Sequence, residues 1–438
     1  EPVYEADPSL PEAIRRSGVD AVLVAPGRID RFRDDTPLQD YILESGARIL
    51  MANNVVDSES NSIEGAPALK EVSIEDLLPR DEIRVDLESV AESLRGRRVL
   101  ITGSAGSIGS EIVRQVASFG PSSLMLIDSA ETPQHDIRRM MARDFPSVPC
   151  ATVVTSITKA DRMENIFRTF LPEYVFHAAA YKHVPMMEDN PCESIQNNVL
   201  GTKILADLSV KYGVLRFVMV STDKAVNPTN VMGCSKRICE VYVQSLNKAE
   251  RDGVVKGQTQ FITTRFGNVL GSNGSVIPIF ERQIKAGGPV TVTDPDIIRY
   301  FMLIPEACEL VLEAGTKGEG GEIFVFDMGK PVRIADLARR MIELSGAKGV
   351  EIKYTGLRDG EKLYEELLSE SEATKPSFHE KIRIACVREY DWSDVSREID
   401  ALIAQSHTYD DMAVVASMKR LVPEYVSNHS KYTVLDHK

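Results

Sequence analysis

The chain has 438 residues, of which 26% are charged, and a formal net charge of -14. This length exceeds the roughly 100–200 residues of one domain, so we expect two or three units with substantial cores. The negative charge repels phosphate backbones and anionic lipids and argues against nucleic acid as a partner. The six cysteines and seven histidines lack zinc-site spacing, so no metal is predicted, and the cysteines fit a reducing cytoplasmic setting.

The first 82 residues have the alternation of a small α/β domain. Apolar periodicity predicts a helix over 10–16 and a buried strand over 19–25. A second helix is predicted from Pro37 to the stop at Gly46, followed by a strand over 47–51. We interpret residues 1–82 as a Rossmann-like N-terminal domain and linker, truncated at its front.

A second α/β domain is predicted to begin near residue 83 and to extend to residue 270. Short apolar or β-branched runs predict buried parallel strands over 99–102, 123–127, 151–154, 174–177, 217–221 and 260–265. Strands that alternate with helices in this way indicate a Rossmann fold with a doubly wound parallel sheet. Helical patterns prevail after Gly271, so residues 271–438 are predicted to form mainly a smaller substrate-binding lobe with C-terminal helices.

Three glycines lie between the first strand of this domain and its first helix, in the sequence Gly103-Ser-Ala-Gly-Ser-Ile-Gly109. Glycine allows a sharp turn whose backbone N–H groups face a pyrophosphate at the helix N-terminus. A plain tight turn can also carry such glycines, but the strand, the helix and a later acid together favour a dinucleotide site. The expected contacts are Gly103, Ser104, Gly106, Ser107, Ile108 and Gly109.

The later acid is Asp128, which closes the second strand of the domain. A carboxylate at this position accepts hydrogen bonds from the ribose hydroxyls of the adenosine and disfavours a 2′-phosphate, so the predicted cofactor is NAD and not NADP. The alternative is that Asp128 only caps the next helix, which is a common use of aspartate.

Four motifs together resemble the extended short-chain dehydrogenase/reductases. They are Thr102-Gly-Ser-Ala-Gly-Ser-Ile-Gly109, His177-Ala-Ala-Ala-Tyr-Lys-His-Val-Pro185, Asn197-Asn-Val-Leu-Gly-Thr202 and Ser221-Thr-Asp-Lys224. Within that superfamily the chain looks like the large 4,6-dehydratases of polysaccharide biosynthesis that act on UDP-N-acetylglucosamine. The resemblance implies a homo-oligomer, and a full-length form held at the cytoplasmic side of the inner membrane by N-terminal helices, of which this chain is the soluble part.

The resemblance also implies further contacts with NAD. They involve Ser156, Ile157, Ala178, Ala179, Ala180, Asn198, Ser221 and Lys236. Ser156 departs from the family pattern, because an aspartate usually stands there and contacts the adenine.

The reaction implied by the family is an internal redox elimination. Hydride leaves C4 of the sugar for NAD, water is lost across C5–C6, and hydride returns to C6. This chemistry needs an acid and a base, for which the adjacent Asp223 and Lys224 are the candidates, with Thr222 beside them. A surface ion pair is the alternative for an Asp-Lys dipeptide, but its place after a buried strand favours catalysis.

Met232 stands where the superfamily's Tyr-x-x-x-Lys motif has its tyrosine, while Lys236 is retained. Methionine cannot exchange a proton, and the large dehydratases share this replacement. Thr222, Asp223 or a water near Lys236 then remain as groups that could take the C4 hydroxyl proton. A helix-surface lysine is the alternative for Lys236.

A UDP-sugar carries two phosphate charges, which an acidic protein must meet with locally placed basic groups. The candidate substrate contacts are Lys182, Arg265, Asn268, Arg299, Arg358 and Glu361. Two other functions stay open: a nucleotide-sugar 4-epimerase, and a non-catalytic NAD-binding regulatory protein in which Met232 marks lost activity.

Overall fold

The computed structural model describes residues 5–52, 69–77, 83, 85–366 and 373–436. The strands are β1 Ala21–Val24, β2 Arg48–Ala52, β3 Leu69–Glu71, β4 Arg98–Thr102, β5 Ser123–Asp128, β6 Cys150–Val154, β7 Tyr174–His177, β8 Arg216–Val220, β9 Gln260–Arg265, β10 Asn268–Val269, β11 Val290–Val292, β12 Ile298–Arg299, β13 Phe301–Met302, β14 Ile323–Phe326, β15 Val332–Arg333, β16 Ile352–Tyr354, β17 Ala373–Pro376 and β18 Ile382–Cys386.

The α-helices are α1 Leu10–Arg16, α2 Ile29–Asp34, α3 Thr36–Ser45, α4 Ile74–Leu77, α5 Leu87–Leu94, α6 Ser107–Ser118, α7 Glu131–Asp144, α8 Ala160–Phe170, α9 Val184–Asp189, α10 Pro191–Ser194, α11 Gly201–Lys211, α12 Val231–Arg251, α13 Val276–Lys285, α14 Ile304–Lys317, α15 Ile334–Leu344, α16 Trp392–Ser406 and α17 Asp411–Leu421. The chain forms two compact units. One contains residues 1–82, 274–300 and 329–356, and the other contains 83–273, 301–328 and 357–438.

The second unit is built on a sheet of nine strands among the described residues, in the order β17-β18-β14-β9-β8-β7-β4-β5-β6. The strands from β14 to β6 are parallel, while β18 and β17 are antiparallel additions at one edge. Val99, Leu100 and Ile101 of β4 are completely buried, as expected for a strand covered on both faces. These strands confirm the predicted Rossmann-type α/β fold.

The position of the site follows from this strand order. The chain runs from β4 outward through β5 to β6 and then returns to β7 on the other side of β4. In doubly wound sheets a ligand crevice lies outside the carboxyl ends of the strands where the order reverses. The carboxyl ends of β4 and β7 flank that point here.

The predicted C-terminal lobe, 271–438, is divided between the two units. The last two helices contribute Ile399 and Met418 to the main hydrophobic cluster of the second unit, together with Phe217 of β8 and Tyr242 of α12. An apolar helix face is buried wherever a complementary face exists, and periodicity alone does not name that partner.

The first unit contains β1, β2 and β3, with β1 and β2 parallel and β3 antiparallel to β2. Helix α3 ends at Gly46, whose φ of 80° is the left-handed cap that glycine adopts readily. Helix α15 joins this unit because the Arg340 guanidinium contacts both Gln39, at 3.1 Å, and Asp40, at 2.8 Å, on α3. The unit is therefore assembled from segments distant in sequence.

Candidate active site

The glycine turn, residues 103–109, connects β4 to α6. Gly103 has a φ of 66°, and an added Cβ would lie 2.6 Å from the Ala179 nitrogen. A Cβ on Gly109 would lie 1.9 Å from the Gly103 oxygen. Gly106, by contrast, has extended backbone at the start of α6, and its nearest atom would be 3.3 Å away. Gly103 and Gly109 thus allow the turn to approach neighbouring backbone closely, while Gly106 leaves space at the N-terminus of α6.

A pocket of about 150 Å³ lies beside this turn at the carboxyl ends of the parallel strands. It is lined by Gly103, Gly106, Ile127, Asp128, Ser129, Thr155, Ser156, Ile157, Ala178, Ala179, Ala180, Tyr181 and Asn197. The structure therefore brings most of the residues predicted to hold the cofactor into one cavity, at the place that the strand order defines.

Asp128 links the glycine turn to the next helix. Its Oδ2 accepts the Ala105 N–H at 3.0 Å, and its Oδ1 accepts the Ala130 N–H at 2.9 Å. The carboxylate lines the pocket, as expected of a ribose contact, and also accepts a hydrogen bond at the start of α7, as expected of a helix cap. Each carboxylate oxygen can accept a second hydrogen bond, which leaves capacity for a ribose hydroxyl.

Ser104 was predicted to contact the cofactor, but the structure commits its polar groups elsewhere. Its hydroxyl donates to Gln134 at 2.9 Å, its N–H donates to the Ile127 carbonyl at 3.2 Å, and the residue is completely buried. The Ser104 side chain therefore faces the interior of the second unit and not the pocket. Ser107 and Ile108 begin α6, where the backbone N–H groups of a helix are free for an anion.

The segment after β7 is held by two buried polar residues. Asn198 accepts the Tyr181 N–H at 2.8 Å and donates to the Tyr181 carbonyl at 3.0 Å, which fixes the pocket wall. The ring nitrogens of His177 lie 2.8 Å from the Thr102 hydroxyl and 2.9 Å from the Thr202 hydroxyl. Burial, aided by Lys236, lowers the pKa of His177 to about 3, so this ring is a neutral link between β4, β7 and α11.

Ser156 and Ile157 lie in the pocket after β6. The Ser156 hydroxyl is 2.8 Å from that of Thr158 and accepts the Thr158 N–H at 3.2 Å. A hydroxyl thus occupies the position where an aspartate is usual in the family, and its adenine contact stays a prediction.

A short turn, residues 222–225, follows β8 and carries the predicted acid and base. The Thr222 hydroxyl donates to Asp223 Oδ1 at 2.8 Å, and Lys224 Nζ donates to the same oxygen at 3.1 Å. The Asp223 side chain is 1% exposed, and its Oδ2 is buried without a hydrogen-bond partner among the described residues. Burial raises the pKa of Asp223, Lys224 opposes the rise, and Glu365 adds to it. This burial excludes the alternative that Asp223 and Lys224 form an ordinary surface ion pair.

Helix α12 packs directly against the 222–225 turn. Asn230 caps the helix by accepting the Gly233 N–H at 2.7 Å, and a Cβ on Gly233 would lie 2.1 Å from the Lys224 carbonyl oxygen. Met232 and Lys236 follow on this helix and are 3% and 5% exposed. Burial lowers the pKa of Lys236, although Cys239 and Glu240 oppose this. Lys236 is therefore not the solvated surface lysine that we considered as an alternative.

Arg265 was predicted to contact substrate phosphate, and the structure places its side chain in the interior, paired with Glu240. Its guanidinium donates to both carboxylate oxygens of Glu240, at 2.8 and 2.7 Å, and the side chain is 1% exposed. Burial opposes ionisation of Glu240, but Arg265 and Arg237 outweigh it and lower its pKa to about 2. The Ser221 hydroxyl donates to this same carboxylate at 2.7 Å. Arg265 thus stabilises the interior below the 222–225 turn.

The sequence analysis missed Glu365, which lies beside the predicted base. Its Oε1 is 3.3 Å from Lys224 Nζ, and its side chain is 4% exposed. The surrounding segment docks on the loop after the 222–225 turn, because Asn230 donates to the Gly360 carbonyl at 3.1 Å and Asn227 donates to Glu366 at 2.8 Å. Two consecutive glutamates in a family-like segment were the available signal, but only folding shows which one turns inward.

The other predicted substrate residues are dispersed. Lys182 and Arg358 are exposed, and the Arg358 N–H donates to Glu361 Oε2 at 3.1 Å. Asn268 lies in β10, which pairs with β13. Arg299 belongs to the first unit, where it is 9% exposed and donates to the Ile298 carbonyl. Their roles toward a substrate stay predictions.

The described part of the chain has neither a metal-site cluster nor a membrane-spanning helix. No group of three or more His, Cys, Asp or Glu side chains there is arranged to hold a metal ion. No helix there has the length and apolar character needed to cross a bilayer.

The fold and the pocket place the chain in the Rossmann-type class of α/β proteins. Its sequence matches the family described as polysaccharide biosynthesis protein over residues 99–387. The chain belongs to this family.

Two curated relatives illustrate the range of the family. The chain is 43% identical over 397 residues to the capsular polysaccharide biosynthesis protein CapD of Staphylococcus aureus, covering 90% of this chain and 65% of that protein. It thus spans about two thirds of the length of that relative. It is 34% identical over 283 residues to UDP-glucose 4-epimerase of Rickettsia canadensis, covering 64% of this chain and 80% of the epimerase.

Solved structures show the same fold. The Pen protein of Bacillus thuringiensis is 32% identical with a TM-score of 0.62, over 66% of this chain and 89% of that one. The dTDP-glucose 4,6-dehydratase DesIV of Streptomyces venezuelae, solved with NAD and TYD bound, is 22% identical with a TM-score of 0.54, over 62% and 88% of the two chains. The second likeness concerns the fold alone.

Proposed function

We propose that the protein is an NAD-dependent 4,6-dehydratase of UDP-N-acetylglucosamine in the biosynthesis of a surface polysaccharide or glycan. The observation that carries this proposal is the buried Asp223 and Lys224 pair at the carboxyl end of β8. Asp223 has a raised pKa and an oxygen without a partner among the described residues, as expected of a group that donates a proton to a substrate.

The pocket fits a dinucleotide. The N-terminus of α6 lies open beside Gly106, and it attracts the pyrophosphate because the first N–H groups of a helix are unpaired. Asp128 supports a ribose hydroxyl, and the wall made by Ala178–Tyr181 is fixed by Asn198. NAD bound here would take up the hydride from C4 of the sugar and return it at C6.

The side chains of the 222–225 turn have separate tasks in this reaction. Lys224 removes the C5 proton, and Asp223 protonates the leaving C6 hydroxyl through Oδ2, since Oδ1 already receives two hydrogen bonds. Gly267 leaves space beside this oxygen, because a Cβ there would lie 3.1 Å from Oδ2. An acid and a base on adjacent residues can serve the C6 and C5 positions of one sugar.

A 4-epimerase is the second candidate, favoured by the 34% identity to the Rickettsia UDP-glucose 4-epimerase. Epimerisation needs only transfer of the C4 hydride and of the C4 hydroxyl proton. Epimerisation requires no separate acid to protonate a leaving C6 hydroxyl. The site, however, holds Asp223, a buried carboxyl with a raised pKa that suits this step. The dehydratase therefore accounts for more of the site.

The test is incubation of the protein and NAD with UDP-N-acetylglucosamine, followed by mass spectrometry and NMR of the sugar. A dehydratase yields a product lighter by one water, with a methyl group at C6 and a keto group at C4. An epimerase yields a product of unchanged mass with inverted C4. No change in any of several nucleotide sugars would contradict both and favour a non-catalytic NAD-binding protein.

A further inference from the structure

Glu188, near the end of α9, is a buried carboxyl that joins α12 to the C-terminal segment, residues 426–432. The residue is 4% exposed. Its Oε1 accepts the Val231 N–H at 2.6 Å, and its Oε2 accepts the Ser430 hydroxyl at 2.6 Å. Its backbone carbonyl accepts the Tyr432 hydroxyl at 3.2 Å. Val231 is the first residue of α12, so one buried side chain connects the start of this helix to the C-terminal segment.

The C-terminal segment also contacts the loop between the 222–225 turn and α12. The Val426 N–H donates to the Pro228 carbonyl at 3.1 Å, and the Asn428 N–H donates to the Thr229 carbonyl at 3.1 Å. These bonds satisfy backbone groups that could not otherwise be buried without cost. The loop and the helix that follows it are therefore held by the same segment.

The first turn of α12 lies directly against the backbone of Lys224. A Cβ on Gly233 would lie 2.1 Å from the Lys224 carbonyl oxygen, so no side chain fits between the helix and the turn. Densely packed backbones transmit displacements to one another, because there is no free volume to absorb them. A shift of the first turn of α12 therefore shifts Lys224, the base that we propose for the C5 proton.

The hydrogen bond from Val231 resists such a shift. The first N–H groups of a helix have no partner within the helix, and side chains must supply acceptors. Asn230 accepts the Gly233 N–H at 2.7 Å, and Glu188 accepts the Val231 N–H. A carboxylate at this position also interacts favourably with the helix dipole. Without the Glu188 carboxyl the buried start of α12 loses both this acceptor and its link to the C-terminal segment.

We propose that Glu188 is a positioning residue that fixes the first turn of α12 to the C-terminal segment and thereby holds Lys224 in place for removal of the C5 proton. The proposal rests on the proposed dehydratase function for the role of Lys224. It makes the C-terminal segment part of the framework of the active site, although none of its residues lines the pocket beside the glycine turn.

The test compares Glu188→Ala with Glu188→Gln in the full chain, and Glu250→Ala is the matched control. Glu250 is also a buried glutamate that accepts a backbone N–H, that of Thr259 at 3.2 Å, but it lies near the other end of α12. We expect Glu188→Ala to lower kcat about 10- to 100-fold with little change in KM or NAD content. Glu188→Gln should keep most of the activity, because its amide can accept from Val231 and donate to Ser430.

Deuterium at C5 of the sugar separates positioning from a loss of folded protein. We expect Glu188→Ala to have a larger kinetic isotope effect on kcat than the wild type, because removal of the C5 proton becomes slower relative to the other steps. A merely structural role would reduce the amount of active enzyme and leave the isotope effect unchanged, as we expect for Glu250→Ala. If Glu188→Ala does not fold, Ser430→Ala replaces it, with a smaller increase expected because one hydrogen bond to the carboxyl is lost.

Hydrogen–deuterium exchange gives a measurement that needs no turnover. Peptides that cover residues 222–233 should exchange faster in Glu188→Ala than in the wild type, whereas in Glu250→Ala they should exchange as in the wild type. A wild-type isotope effect in Glu188→Ala, or unchanged exchange over 222–233, would overturn the proposal. Failure of the proposed function is distinct, since it would appear as no water loss by the wild type, and it would overturn the catalytic role of Lys224 even where the difference in exchange persists.

Discussion

The glycine turn and the 222–225 turn both follow a strand of the same sheet, yet they are built differently. The glycine turn makes its pocket from backbone: Gly103 and Gly109 allow close approach, and Asp128 joins the turn to the next helix. The 222–225 turn depends on side chains, since Lys224 lies between Asp223 and Glu365, which is far along the chain. A backbone site is thus visible in local sequence, whereas a charge cluster is visible only after folding.

The largest expected effect concerns the base. Lys224→Ala should lower turnover about 100- to 10,000-fold, the range usual for general acid–base groups, because no other amine replaces Nζ at C5. NAD content should stay at the wild-type level, since Lys224 does not line the pocket beside the glycine turn. Mass spectrometry of the product and release of bound NAD measure both. Lys211→Ala, at an exposed lysine paired with Glu164, is the control, and wild-type turnover in Lys224→Ala would contradict the mechanism.

The next effect concerns the interior below the same turn. Arg265→Met should lower the free energy of unfolding by about 3 kcal/mol, the low end for breaking a buried ion pair, because Arg237 still contacts Glu240. Denaturant unfolding measures the loss. If Arg265 bound phosphate instead, the variant would keep its stability and show a raised KM for the nucleotide sugar.

The backbone site can be broken by a single methyl group. Gly109→Ala should cost about 1–3 kcal/mol of unfolding free energy and should lower NAD content, because its Cβ would meet the Gly103 oxygen. Gly106→Ala is the matched comparison, since its Cβ meets nothing closer than 3.3 Å. We expect a smaller loss of thermal stability than in Gly109→Ala, because a contact at 3.3 Å requires only a small shift of the Gly103 oxygen. Equal stability in both variants would show that the turn relaxes easily.

The last expected effect, which does not alter stability near neutral pH, concerns the pH dependence of stability. His177 has a pKa of about 3 in the folded state, below its value of 6.5 when exposed. The unfolded chain therefore binds a proton first, so stability falls as pH drops from about 6.5 toward 3, by at most about 1.4 kcal/mol for each pH unit from this residue. In His177→Gln the slope should be shallower. Identical slopes in denaturant unfolding across this range would refute the assignment.

Sequence patterns predicted much of the fold and part of the site. The strands of the parallel sheet and the glycine turn were confirmed, because apolar runs and turn glycines reflect local requirements. Arg265 and Ser104 were predicted as ligand contacts but are buried against interior partners, because a polar residue in a functional motif can serve the interior as well as a ligand. Burial decides between these uses, and burial depends on partners that the motif does not contain.

The predicted lobe over 271–438 is divided between the two units for a related reason. Helices α15 and α16 both show apolar periodicity after residue 271, yet α15 packs in the first unit through Arg340 and α16 packs in the second through Ile399. Apolar periodicity predicts that one face of a helix will be buried, but it does not identify the surface against which that face packs.

By itself the sequence determined the alternation of strands and helices, the glycine turn and the adjacent candidates for acid and base, Asp223 and Lys224, since each depends on residues close together along the chain. Only the tertiary structure decided that Glu240 holds Arg265 and that Glu365, not Glu366, reaches Lys224. Those pairings arise because desolvated charges must find partners, and the partners are brought within reach only when the sheet and its helices are assembled.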